Sequence, residues 1–72
     1  NNMALTEQRI LKQVTMLPQS NAVNVQWANQ IIRDGTELVS ETYERKAYGP
    51  EQKADFLAEV DGAAAYVSAM GW

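Results

Sequence analysis

The stretch Val23-Asn24-Val25-Gln26-Trp27-Ala28-Asn29-Gln30-Ile31-Ile32-Arg33-Asp34-Gly35 decides the fold. Its odd positions from Val23 to Ile31 carry Val, Val, Trp, Asn and Ile, while the even positions Asn24, Gln26, Ala28 and Gln30 are polar or small. Period-two alternation of this kind marks a strand buried on one face. Asp34-Gly35 then supplies a hairpin turn. Thr36 to Tyr48, rich in Thr, Val and Tyr but also in charge, returns as the partner strand.

Two registers compete for that hairpin. A two-residue turn pairs Arg33 with Thr36 and sets Val39 and Tyr43 on the face away from Trp27. A three-residue loop pairs Ile32 with Thr36 and gathers Val23, Val25, Trp27, Ile31, Val39, Tyr43 and Ala47 on one face, leaving Gln26, Gln30, Thr42 and Glu44 for solvent. A one-residue slip turns a whole strand over, so the second register, which collects the apolar set, is the expectation.

Beyond the hairpin, Gly49-Pro50-Glu51-Gln52 reads as a helix entrance, because proline suits the first helical position. Glu51 and Asp55 place negative charge near the helix N-terminus, where the macrodipole favours it. Phe56, Val60, Ala63, Val67 and Met70 recur at four- and three-residue steps, with Leu57 and Ala64 beside them. That is the apolar stripe of one amphipathic helix over about 50–70. Gly71 fits a left-handed C′ residue, and Trp72 can pack back on Val67 in a Schellman arrangement. Gly62-Ala63-Ala64-Ala65 makes the middle of the helix slim, at a helix-propensity cost of about 1 kcal/mol for Gly62.

Toward the N-terminus the pattern is double. As a helix, Thr6 caps and Ile10, Leu11, Val14 and Leu17 fall at helical spacing before Pro18. As a strand, Ile10, Val14 and Met16 alternate with Leu11, Thr15 and Leu17. A lone two-stranded hairpin is marginal, whereas a third strand makes a sheet able to hold a helix. The fold class expected is therefore α+β: a three-stranded antiparallel β-meander (about 9–17, 22–33 and 36–48) packed by one C-terminal helix (about 50–70). The alternative is α-β-β-α.

The chain has 72 residues, six Lys+Arg against nine Asp+Glu, a net charge of -3, and neither cysteine nor histidine. This length suits a single domain, 1–72, with a small core. Met3 marks the expected natural start, with Asn1 and Asn2 vector-derived. Without Cys or His there is no disulfide framework, zinc finger, thiol nucleophile or Ser-His-Asp triad. No stretch reaches the roughly 20 apolar residues of a membrane span, and no charged-then-apolar leader is present.

The order Ile10-x-x-Gln13-x-Thr15-x-Leu17, Val23-x-Val25, Ile32-Arg33-Asp34-Gly35 and then Arg45 resembles a group of small uncharacterised bacteriophage and prophage proteins. The likeness covers about residues 10–48 and rests on hydrophobic spacing plus one Asp-Gly turn. It implies a strand at 9–17 and a phage-type origin, with a bacterial host cytoplasm or the virion as location. It implies no activity. The chain departs from the group at Pro18-Gln19-Ser20-Asn21-Ala22, where a tight glycine turn is usual, and the first hairpin's geometry stays open there.

Carboxylates are the only acid–base groups available in number. Asp55 with Glu59, and Glu41 with Glu44, are the near pairs, but a glycosidase needs two carboxylates flanking a cleft. On regular surface elements of so small a protein they read as solvated faces. Asp34 beside Gly35 reads as turn chemistry. No phosphate loop, dinucleotide fingerprint or calcium loop occurs. No catalytic, cofactor-binding or metal-binding residue is assigned, and no enzyme activity or cofactor is expected.

Tyr43, Arg45, Lys46 and Tyr48 form an aromatic-plus-basic cluster of the kind that binds single-stranded nucleic acid. Against it stands the excess of acids over bases, so a nucleic-acid-binding regulator is the alternative function. Protein–protein contact is the leading one. Trp27 reads as core, and Trp72 as a self-capping residue first and an interface residue second. The small residues Ala58, Gly62, Ala65 and Ala69, with Tyr66 and Trp72, offer a second packing surface. Two sheet edges also need partners or protection, and a core this small gains from assembly. Self-association is expected, with a phage structural or host protein as a further partner and no membrane.

Overall fold

The computed structural model describes residues 4–72, and the expected start at Met3 lies outside the described residues. Three antiparallel strands, β1 (Leu5–Leu17), β2 (Ala22–Arg33) and β3 (Glu37–Tyr48), form one sheet in the order β1-β2-β3. A single 3-10 turn at Pro50–Gln52 leads into α1 (Lys53–Glu59), and α2 (Ala63–Met70) follows. The architecture is the α+β meander with C-terminal helices, and the N-terminal segment is a strand. β1 begins four residues before its expected start. Leu5 to Gln8 pair with Arg33 to Gln30, so the first strand runs the full length of its neighbour.

The 3-10 turn Pro18–Ser20 closes the first hairpin, and Asn21 follows at φ 52° in the left-handed region. Asparagine tolerates that region because its short amide can bond locally. Asp34 and Gly35 turn the second hairpin at φ 53° and 77°, and Thr36 N–H donates to the Arg33 carbonyl at 3.1 Å.

The register of the second hairpin differs from expectation. Arg33 pairs with Glu37, Val39 is bulged out of the ladder, and from there Ser40 faces Ile31, Glu44 faces Trp27 and Tyr48 faces Val23. Tyr43 faces Ala28 and Ala47 faces Asn24, both on the side away from Trp27. Apolar count along the whole hairpin does not set the register, because the helices cover only one end of the sheet. At that end the observed register brings Tyr48 inward, where it is 1% exposed and its ring lies 5.1 Å from Phe56.

The single helix expected over 50–70 is also corrected. Val60 is extended (φ -115°, ψ 123°) and Gly62 is left-handed at φ 73°, so the chain breaks and re-forms a helix at Ala63. Glycine meets that geometry without the Cβ clash other residues suffer. The apolar stripe survives the break, since Phe56, Val60, Ala63 and Val67 all stay buried. The C-terminus closes as expected: Trp72 N–H donates to the Val67 carbonyl at 3.0 Å and Gly71, at φ 75°, is the C′ residue.

The core joins Val23, Val25, Trp27 and Tyr48 of the sheet to Phe56, Val60, Ala63 and Val67 of the helices. It sits at the end where β2 begins. The other half of the hairpins projects beyond it, giving a body of 53 × 18 × 16 Å with a radius of gyration of 15.4 Å. A compact domain of this length would have about 11 Å. Leu5, Leu38 and Val39, on that projecting half, stay exposed.

Candidate functional site: the open face of the sheet

Strand pairing separates the sheet into two chemically distinct faces. Met16, Val23 and Tyr48 form one rung of the helix-side face; Leu11, Trp27 and Glu44 form another. Charge concentrates here. Arg9 bridges to Glu44 at 3.1 Å and lies 4.1 Å over the Trp27 ring. Lys46 Nζ donates to Glu59 Oε1 at 2.9 Å, and the Tyr48 hydroxyl donates to the same oxygen at 2.6 Å. Those two donors, Tyr48 first, hold the Glu59 carboxyl below the usual range. Burial, reinforced by Glu59, pushes the Tyr48 phenol well above its ordinary value.

The opposite face is open: α1 and α2 both pack on the other side, against the core. Its rungs can be read from the pairing. Gln13–Gln26–Arg45 is followed by Ile10–Ala28–Tyr43 and then by Gln8–Gln30–Glu41. The last rung is a continuous hydrogen-bonded ladder. Gln8 Nε2 donates to Gln30 Oε1 at 2.7 Å, Gln30 Nε2 donates to Glu41 Oε2 at 2.6 Å, and the Tyr43 hydroxyl donates to Glu41 Oε1 at 2.7 Å. The Gln30 and Tyr43 donors hold Glu41 below the usual carboxylate range, and the neighbouring carboxylate raises the Tyr43 phenol. A trough of about 360 Å³, bordered by Gln13, Asn24, Gln26 and Arg45, lies at one end of this face.

The four residues of the nucleic-acid alternative are divided by this geometry. Lys46 and Tyr48 belong to the helix side, the first paired with Glu59 and the second buried. Tyr43 and Arg45 belong to the open face and are exposed. Glu41 and Glu44 likewise fall on opposite faces, and Asp55 and Glu59 are both exposed on α1. Among the described residues no cluster of three acidic side chains could hold a metal ion, and no helix is long and apolar enough to cross a membrane.

The proposed packing residues are spread across the helix break. Ala58 lies on α1, Gly62 in the break, and Ala65 and Ala69 on α2, all exposed. Tyr66 and Trp72 are half-buried, their rings 6.5 Å and 5.8 Å from Phe56. Trp72 Nε1 also donates to Asn21 Oδ1 at 2.8 Å, which ties the chain end to the first hairpin turn. The glutamine ladder was missed from sequence. Its signal is the alternation itself: Gln26 and Gln30 share a face with Glu41 and Arg45 in the observed register, as they would with a two-residue turn, but not in the expected one.

No family model matches this chain, and no curated protein or solved structure shows significant similarity to it.

Proposed function

We propose that this chain is a small non-enzymatic structural or accessory protein of the bacteriophage type, acting through protein–protein contacts and foremost through assembly with copies of itself. One observation carries the reading: a three-stranded sheet some twelve residues long has helices over only half of one face. The opposite face is lined by amide, hydroxyl and apolar side chains. Extended surfaces poor in charge suit protein contact. The phage-type assignment rests on the Gln13–Thr15, Val23–Val25 and Asp34–Gly35 pattern. Location in a bacterial host cell or virion follows from that assignment.

Light scattering coupled to size-exclusion chromatography, over a hundredfold range of concentration, tests the assembly. A mass of two or more chains is the expected result. A dilute, heat-stable monomer throughout the range would overturn it.

A further inference from the structure

We infer that the open face is a two-fold, face-to-face interface with a second copy of this chain, centred on the Ala28–Tyr43 rung. The inference rests on the self-association proposed above and names the surface that performs it.

The face is nearly free of charge. Of the fifteen charged residues in the chain, only Glu41 and Arg45 occupy ladder positions on this face, while Lys12, in the β1 bulge, lies near enough for its charge to act on Glu41. Charge depletion marks the centre of an interface, where desolvating an unpaired ion is costly.

The two charges are placed symmetrically. Glu41 lies one rung to one side of Tyr43, and Arg45 one rung to the other. Consider two such sheets stacked with a two-fold axis lying between them, perpendicular to the strands and passing over Tyr43. Each strand then runs antiparallel to its own copy, and the Gln13–Gln26–Arg45 rung of one copy lies over the Gln8–Gln30–Glu41 rung of the other. Arg45 meets the partner copy's Glu41 twice, once on each side of the axis. Glutamines meet glutamines, whose amides donate and accept equally well. The pattern is self-complementary, as a two-fold interface requires. Sheets packing face to face in this aligned manner sit about 10 Å apart and within about 30°.

The area is sufficient. Three strands about 4.8 Å apart and twelve residues of about 3.3 Å each present a face of about 550 Å². Two copies together bury about 1,100 Å², just above the roughly 1,000 Å² that a specific interface needs. A partial overlap would fall short, so the whole face must be used.

Charge reversal tests the geometry, because the same two residues make both contacts. Glu41→Arg alone and Arg45→Glu alone each place like charges face to face and should raise the dimer dissociation constant about tenfold or more. Combining the two reversals exchanges the partners and should restore dimerisation. Circular dichroism confirms that each variant is folded. Independently, Tyr43→Cys places a thiol beside the axis in a chain that otherwise has no cysteine, and a short bis-maleimide, which spans the gap of about 10 Å between sheets that a disulfide cannot, should cross-link it to its own copy. A monomeric wild type would overturn both this interface and the assembly reading. A dimeric wild type overturns the interface alone if the single reversals leave its mass unchanged, if the double reversal fails to rescue, or if the Tyr43→Cys protein stays uncross-linked.

Discussion

The Tyr48 hydroxyl and the Lys46 ammonium donate to the same oxygen of Glu59, at 2.6 and 2.9 Å. This contact ties the end of β3 to α1 and gives stability a two-sided pH dependence. Glu59 titrates below the ordinary 4.5, so its contribution is complete above that value and is lost as the pH falls through the lower folded one. Tyr48 titrates above the ordinary 10.0, so its contribution is complete below pH 10 and is lost as the pH rises further. Thermal melts of wild type should show a plateau between these limits. Glu59→Gln should flatten the acid limb. Tyr48→Phe should flatten the alkaline limb and remove about 1 kcal/mol at neutral pH, a fall of about 4–8 °C in a domain of this size. Identical profiles in wild type and Glu59→Gln would refute the linkage.

Gly62 tests the helix break by the sign of its effect. In a continuous helix Gly62→Ala would stabilise by about 1 kcal/mol. At φ 73° the alanine Cβ clashes with its own backbone, so the same substitution should destabilise by about 1 kcal/mol. Urea denaturation decides between them, and a raised midpoint would restore the single helix.

Phe56 is fully buried and touches three rings, those of Tyr48, Tyr66 and Trp72. Phe56→Ala should cost about 3–5 kcal/mol, a large part of what so small a core supplies. Loss of the cooperative urea transition is the expected outcome. A variant that keeps a sharp transition near the wild-type midpoint would mean that the helices contribute little to the fold.

The Asn21–Trp72 hydrogen bond joins the first hairpin turn to the chain end. Asn21→Gly keeps the left-handed backbone but removes the acceptor, and Asn21→Ala removes both. The alanine variant should therefore be the less stable, with a total loss of about 1–2 kcal/mol. Trp72→Phe should resemble the glycine variant. Equal midpoints for glycine and alanine would show that backbone strain at Asn21 is unimportant.

Much of this molecule was legible before folding was considered. The alternation from Val23 to Ile31 marked the central strand, Asp34-Gly35 the turn, and Phe56–Val60–Ala63–Val67 the buried stripe. Gly71 and Trp72 announced the helix end, because each of these signals is local: a period, a turn residue, a cap. Gly62 is the one local sign of the break, but the four- and three-residue spacing of the apolar stripe continues across it. The hairpin register differs from the expected one for another reason. It depends on which rungs the helices reach, a distance relationship that no local pattern contains.

The sequence by itself determined the central strand, its turn and the buried stripe of the C-terminal segment, since backbone propensity and side-chain periodicity act within a few residues, while β1 and the break at Gly62 needed the fold. Only the tertiary structure decided which face each side chain of β3 joins. Packing Tyr48 against Phe56 and Glu59 turns the whole strand, and that turn delivers Glu41, Tyr43 and Arg45 to the open face. A parity choice made in the core, where burial dominates, thereby sets the chemistry of the surface on the far side of the sheet.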